Sequence, residues 1–267
     1  MSITASMVKD LRDRTGAGMM DCKKALTECD GDEEKAIAWL REKGLSKAAK
    51  KAGRETTEGL ITIVVAKDGK SAAMSELKCE TDFVAKNEEF IALAEGIAKL
   101  ALDRKTSDMT ALPVEATDLT GLIGKIGENM QVGRLAFVEL PGAGAIGTYV
   151  HSNKKLGVLV ELTGAVTPEL AKDIAMQIAA ANPLCVTPDQ IPAETLSQEK
   201  EIYLNQAKEE GKPAQIAEKI VEGRIRKYYQ EVCLREQVFI KDDKKTIKDL
   251  LGKSADVVRF FRFAVGA

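Results

Sequence analysis

Few side chains in this sequence have the type and spacing that bond chemistry requires. His151 is the one histidine in 267 residues. That leaves no multi-histidine metal set and no histidine relay, and no Ser, Asp or Cys is spaced as a triad partner. At the end of a strand-like run and just before a turn, His151 reads as a surface or packing residue. The five cysteines, Cys22, Cys29, Cys79, Cys185 and Cys233, are odd in number and scattered. Without a C-x-x-C they suggest neither a disulfide framework nor a zinc site, and Cys22 and Cys29 read as ordinary semi-buried thiols. Two glycine strings imitate nucleotide sites. Gly142-Ala143-Gly144-Ala145-Ile146-Gly147 matches G-x-G-x-x-G, but a strand-like segment follows where a dinucleotide site needs a helix N-terminus. It reads as a flexible loop. Gly69-Lys70-Ser71 resembles the end of a phosphate loop, but the position that must be glycine is Val64, inside a strand. No cofactor and no metal are expected.

Thr81-Asp82-Phe83-Val84-Ala85-Lys86-Asn87 offers recognition chemistry instead. Thr81 fits a helix N-cap, and Asp82 in the first turn opposes the positive end of the helix dipole. Periodicity puts Phe83, two turns before Phe90, in the core. An acid and a phenyl ring at a helix tip also make a wedge that another protein's pocket could receive.

The elements that must hold these residues follow from composition and period. The length allows about two domains. Lys+Arg 39 against Asp+Glu 41 leaves a net charge of −2, unlike a dedicated nucleic-acid binder. Aromatics at 4% are too few for base-stacking platforms. The opening residues have no apolar h-region and the apolar stretches are broken by charges, so neither a secretory signal nor a membrane span is expected, and the setting is a reducing cytoplasm.

Helical spacing of Met7, Val8 and Leu11, then a helix from Met19 to Glu28, then one through Ala36, Ile37 and Leu40 ending at Gly44, make a compact three-helix bundle. Thr4 or Ser6 caps the first. Lys43, Lys47, Lys50, Lys51 and Arg54 read as a linker or exposed helix, with a ribosome or RNA contact as the alternative. From Gly59 the period becomes two: Leu60–Val65, a turn at Asp68-Gly69, and Ala73–Lys78, followed by a helix opening at Thr81. A short helix near Leu119–Ile126 and a strand at Leu135–Leu140 close this set. The same order recurs in Gly147–Val150, Leu156–Leu162 and a helix at Thr167-Pro168, with a closing strand delayed to Arg259–Val265. The delay holds a helical hairpin, Leu196–Ala207 and Ile216–Leu234, turning at Gly211-Lys212-Pro213, with Ile216, Ile220, Gly223 or Arg224, and Tyr228 on one stripe. The class is α+β: residues 1–54 as the helical domain and linker, 55–145 as a first core copy, 146–190 with 235–267 as a second, and 191–234 as the inserted hairpin.

Several stretches resemble the bacterial elongation factor Ts family. They are Thr81–Asn87, Leu11–Leu26, Lys125-Ile126-Gly127-Glu128-Asn129, and Gly211-Lys212-Pro213 with Ile216–Arg224, in the family's order along the whole chain. The resemblance implies a ubiquitin-associated-like three-helix domain, a duplicated core with antiparallel sheets and an inserted coiled-coil hairpin. It implies a guanine-nucleotide exchange factor for elongation factor Tu, without bond chemistry of its own and therefore not an enzyme. By the resemblance, Thr81, Asp82, Phe83 and Val84 act at the Tu GTPase domain, displacing Mg²⁺ and promoting GDP release. Met19 and Met20 contact the same domain, one of them also packing inside the bundle. Ile126 and Gly127 form a contact loop, and His151 lies near a second Tu domain. The hairpin serves self-association or Tu contact. No nucleic-acid or membrane partner is implied.

Overall fold

The computed structural model describes residues 3–211 and 213–266. Three helices come first: α1 (Ala5–Thr15), α2 (Met19–Glu28) and α3 (Glu33–Lys51). Thr4 caps α1 by accepting the Met7 N–H, and Gly16 ends it in the left-handed region. Val8, Leu11, Cys22, Ala25, Leu26 and Ala36 form the bundle's own buried cluster. The expected stop at Gly44 is absent, since α3 runs on to Lys51. Gly44 is small for another reason: its Cα lies 3.4 Å from where a Cβ on Gly124 would sit, so the glycine pair admits a neighbouring helix. The basic run is therefore helical as far as Lys51, with Arg54 beyond the helix end. Lys47 pairs with Asp21 at 2.9 Å, and Lys43 stands over the Trp39 ring at 4.2 Å. Lys50 and Lys51 occupy the last turn, which the helix dipole favours.

Strands β1 (Glu58–Val65) and β2 (Ser71–Cys79) follow, then α4 (Asp82–Ala85), α5 (Glu88–Asp103), α6 (Val114–Thr117), α7 (Thr120–Ile126) and β3 (Met130–Glu139). The sheet order is β1-β2-β3. The second set is β4 (Gly144–Val150), β5 (Leu156–Gly164), α8 (Pro168–Ala181), α9 (Ala193–Glu209), α10 (Ala214–Val232), β6 (Val238–Phe239), β7 (Asp242–Thr246), α11 (Ile247–Leu251) and β8 (Ala255–Ala264). Its main sheet has the order β4-β5-β8, so both sheets place the return strand of a hairpin in the middle. The architecture is α+β. Val158, Val160 and Leu162 of β5, Ile174 and Ile178 of α8, Ile247 of α11 and Val257 of β8 share one core. The molecule forms two compact units, one from residues up to Thr62, Met74–Leu135 and the end from Ala264, the other from Ile63–Ala73 and Ala136–Phe263.

The two sheets repeat particular residues. A Cβ on Gly59 would lie 2.2 Å from the Leu77 carbonyl oxygen, and one on Gly144 would lie 2.1 Å from that of Leu162. One residue before each of those leucines is a buried glutamate. Glu76 receives Arg134 in two bonds of 2.8 Å, and Glu161 receives Arg259 at 2.8 Å. Burial alone would raise the Glu76 carboxyl, but hydrogen bonds and charge from Arg134 outweigh it and hold the group below its ordinary value. A carboxyl depressed in the folded state contributes stability above its unfolded pKa, and loses it as pH falls through the folded one. Melting temperatures taken stepwise downward from neutral pH should therefore fall below about pH 4. Glu76→Gln should lose less over the same range, and equal losses in both proteins would remove Glu76 from the acid response.

The glycine string is not a flexible loop throughout. Gly142 is in open space, but β4 starts at Gly144, and a Cβ on Gly147 would lie 2.1 Å from the Ala171 carbonyl oxygen of α8. Close backbone packing accounts for Gly144 and Gly147. The cysteines are not all scattered either. The loop after α8 and the end of α10 form a parallel bridge, and Cys185 Sγ lies 3.6 Å from Cys233 Sγ. Burial pushes the Cys233 thiol up to about 12, with Cys185 and nearby carboxylates adding to it. On the hairpin, the buried stripe runs through Ala207, Ala217 and Ile225, while Ile216 is exposed, one position off the expected line. Arg224 ties the two helices, bonding Glu210 at 3.0 Å and also Gln206. Of the expected turn, Gly211 is left-handed and Lys212 lies outside the described residues. No described helix is long and apolar enough to cross a membrane.

Candidate functional site

The Thr81–Asn87 stretch does not open one long helix. It forms the single turn α4, and Asn87 then starts α5 afresh, its side chain accepting the Glu89 and Phe90 N–H groups at 2.9 and 3.3 Å. That restart breaks the phase between Phe83 and Phe90. Phe90 is fully buried in α5, whereas Phe83 on α4 is 81% exposed. The core placement that periodicity gave Phe83 is thus wrong, because one helical period never connected the two rings.

Thr81 sits at the N-cap position of α4 without capping it. Its hydroxyl donates to Glu128 Oε1 at 2.6 Å, and its N–H donates to Glu128 Oε2 at 2.9 Å. Asp82 pairs with Lys86 at 2.6 Å across the turn. Val84 is 7% exposed, so it anchors the turn inward rather than presenting itself beside Phe83. Beneath the turn, Cys79 donates its S–H to the Thr81 carbonyl at 3.1 Å. Burial pushes that thiol up to about 12, and the charges of Glu128 and Glu58 push the same way, so Cys79 stays a protonated donor and not a nucleophile.

Glu128 comes from the segment after α7. Gly127, at φ 91°, ends that helix in the left-handed region and reverses the chain, which a glycine does without strain. The next residue answers in kind: the Asn129 N–H donates to Glu80 Oε1 at 2.6 Å. Asn129 is buried, and its side-chain amide donates to the Arg54 carbonyl at 2.8 Å. The structure therefore brings two separated motifs together, residues 80–84 and 126–129, with Ile126 and Gly127 half-buried at the junction. The sequence alone gives no role to Glu80, Glu128 or Asn129. The signal of the two glutamates, a carboxylate one residue before or after each motif's turn, has meaning only once the two segments are adjacent.

Met19 and Met20 begin α2 in the same unit and are 49% and 74% exposed. Neither packs inside the bundle, contrary to expectation, because the buried face of α2 is carried by Cys22, Ala25 and Leu26. Exposed thioethers are adaptable contact groups. His151 belongs to the other unit, exposed just past β4, with its Nδ1 accepting the Asn153 N–H at 3.5 Å and Tyr149 edge-on at 6.4 Å. Among the described residues no cluster of His, Cys, Asp and Glu could hold a metal ion. The site is thus one of protruding apolar groups on a firmly bonded base, suited to entering a partner's pocket.

Comparison with known proteins gives the family. The family described as Elongation factor TS matches residues 80–267. Elongation factor Ts of Nitratidesulfovibrio vulgaris (strain DP4) is 50% identical over 100% of this chain and 96% of its own length. That of Desulfovibrio desulfuricans is 49% identical over 96% and 93%. That of Thioalkalivibrio sulfidiphilus is 50% identical over 100% and 93%.

Proposed function

The chain belongs to the elongation factor Ts family of translation elongation factors, and from that premise we propose that it is the guanine-nucleotide exchange factor for elongation factor Tu. Tu holds GDP through a phosphate loop and a Mg²⁺ ion that neutralises phosphate charge. Phe83 enters an apolar pocket of the Tu GTPase domain, with Thr81, Asp82 and the buried anchor Val84 setting the approach. The intrusion displaces the Mg²⁺ ligands, and GDP loses both its cation and its loop. Met19 and Met20 add contact area on the same domain, Ile126 and Gly127 flank the wedge, and His151 meets a second Tu domain.

The thermodynamics need no bond chemistry, so the protein is not an enzyme. Whatever binds empty Tu more tightly than GDP-loaded Tu weakens GDP by the same factor. Equal affinity for both forms would shift nothing. The observation that carries this reading is the 81% exposure of Phe83 on a turn fastened by its neighbours. A phenyl ring left in water forgoes about 2 kcal/mol of burial, which a partner's pocket can recover. The test is to load Tu of the same organism with fluorescent GDP, add this protein and excess unlabelled GDP, and follow release by stopped flow. Acceleration that rises with factor concentration and saturates is expected; a rate equal to that of Tu alone would end the proposal.

A further inference from the structure

We infer that Glu128 is a positioning residue that aims Phe83 by gripping Thr81, an inference that rests on Phe83 acting as the wedge. A single helical turn has almost no stability of its own, since nucleation fixes several residues for one hydrogen bond. The direction of α4 must come from what holds it. Below, Val84 is packed into the core. At the leading end, Thr81 gives both its N–H and its hydroxyl to one carboxylate, at 2.9 and 2.6 Å. Charge-assisted bonds of this kind are short and strong. The side chain that donates to Glu128 accepts no N–H of α4, so the turn is held by this grip and not by a side-chain cap.

The grip is reciprocal. Glu128 takes the amide of residue 81, and Glu80 takes the amide of residue 129 at 2.6 Å. Asn129 in turn bonds the Arg54 carbonyl at 2.8 Å, and Arg54 reaches Glu80 at 3.5 Å. Residues 54, 80–81 and 128–129 are thereby locked as one base. Phe83 is two residues beyond it, so any pivot at Thr81 swings the ring. Neither Glu128 nor Glu80 needs to touch the partner for this role.

The experiment measures GDP release from cognate Tu over a range of factor concentrations, which separates the saturating rate from the half-saturating concentration. The variants are Glu128→Ala, Thr81→Val, Thr81→Ser, Phe83→Ala and the Phe83→Ala/Glu128→Ala pair, each checked by circular dichroism. Glu128→Ala should lower the saturating rate several-fold, up to the loss seen with Phe83→Ala, and leave the half-saturating concentration unchanged. Mere loss of folded protein does the opposite: it raises the concentration required and spares the saturating rate. Thr81→Val should follow Glu128→Ala in part, while Thr81→Ser, which keeps the hydroxyl and its bond to Glu128, should lose less than Thr81→Val. The double variant should be no slower than Phe83→Ala, because Glu128 acts only through that ring. An unchanged saturating rate in Glu128→Ala, or a loss that adds to that of Phe83→Ala, would overturn the positioning role while leaving the wedge intact. An unaffected Phe83→Ala would overturn the wedge, and the inference with it.

Discussion

Phe83→Ala should slow the release of GDP from Tu at saturating factor by at least roughly tenfold, a loss of ~1.4 kcal/mol of transition-state stabilisation. The expected size comes from burial: removing the ring deletes about 2 kcal/mol of apolar contact that the free protein does not use. Because the ring is 81% exposed, the substitution leaves no cavity, so the melting temperature and circular dichroism should stay at wild-type values. Phe90→Ala makes the opposite case. That ring is fully buried, and its truncation should cost about 3–5 kcal/mol of stability whatever happens to exchange. A Phe83→Ala protein that releases GDP at the wild-type rate is incompatible with the wedge.

A large effect on folding is expected at Gly144. A Cβ there would sit 2.1 Å from the Leu162 carbonyl oxygen, far inside contact distance. The obstacle is backbone, and Leu162 is itself fully buried, so no flexible side chain can move aside. Gly144 pairs with Thr163 at the start of the β4–β5 ladder, so a retreat of β4 would break the register that continues to Val150. Gly144→Ala should cost about 3 kcal/mol, lowering the melting temperature by roughly 6–12 °C. Gly142→Ala, two residues earlier in open space, should be close to neutral. Equal melting of the two variants would show that close approach is not why glycine stands at 144.

Much of the plan was legible in the amino-acid order. The change of period at Gly59, the Thr167-Pro168 helix start and the late strand near Arg259 all correspond to elements, because each depends on local patterning. The glycines misled in two directions. Gly44 looked like a stop and is a packing notch; Gly142 to Gly147 looked like a loop and is mostly strand, since close approach across space leaves no mark on its own segment. The short β6–β7 pair escaped notice because Asp242–Thr246 is nearly all polar, although Thr246 and Asp249 do form the capping box their spacing allows. At the site, periodicity puts Phe83 in the core while its place at a helix tip offers a wedge. The side chain of Asn87, restarting the helix, decides between them. The grip of Glu128 on Thr81 joins residues far apart in the chain, which no periodicity reports.

The arm formed by α9 and α10 leaves and rejoins its unit at one place, where the Leu184 N–H bonds the Val232 carbonyl at 2.8 Å and the Leu234 N–H bonds that of Cys185 at 2.9 Å. Its two ends are therefore already tied, and the sheet beside them does not register how far the arm extends. Closure entropy grows so slowly that doubling such an excursion costs only about 0.6 kcal/mol. The arm is an appendage whose reach can drift, by gain or loss of paired helical turns, while the strands that carry it stay the same.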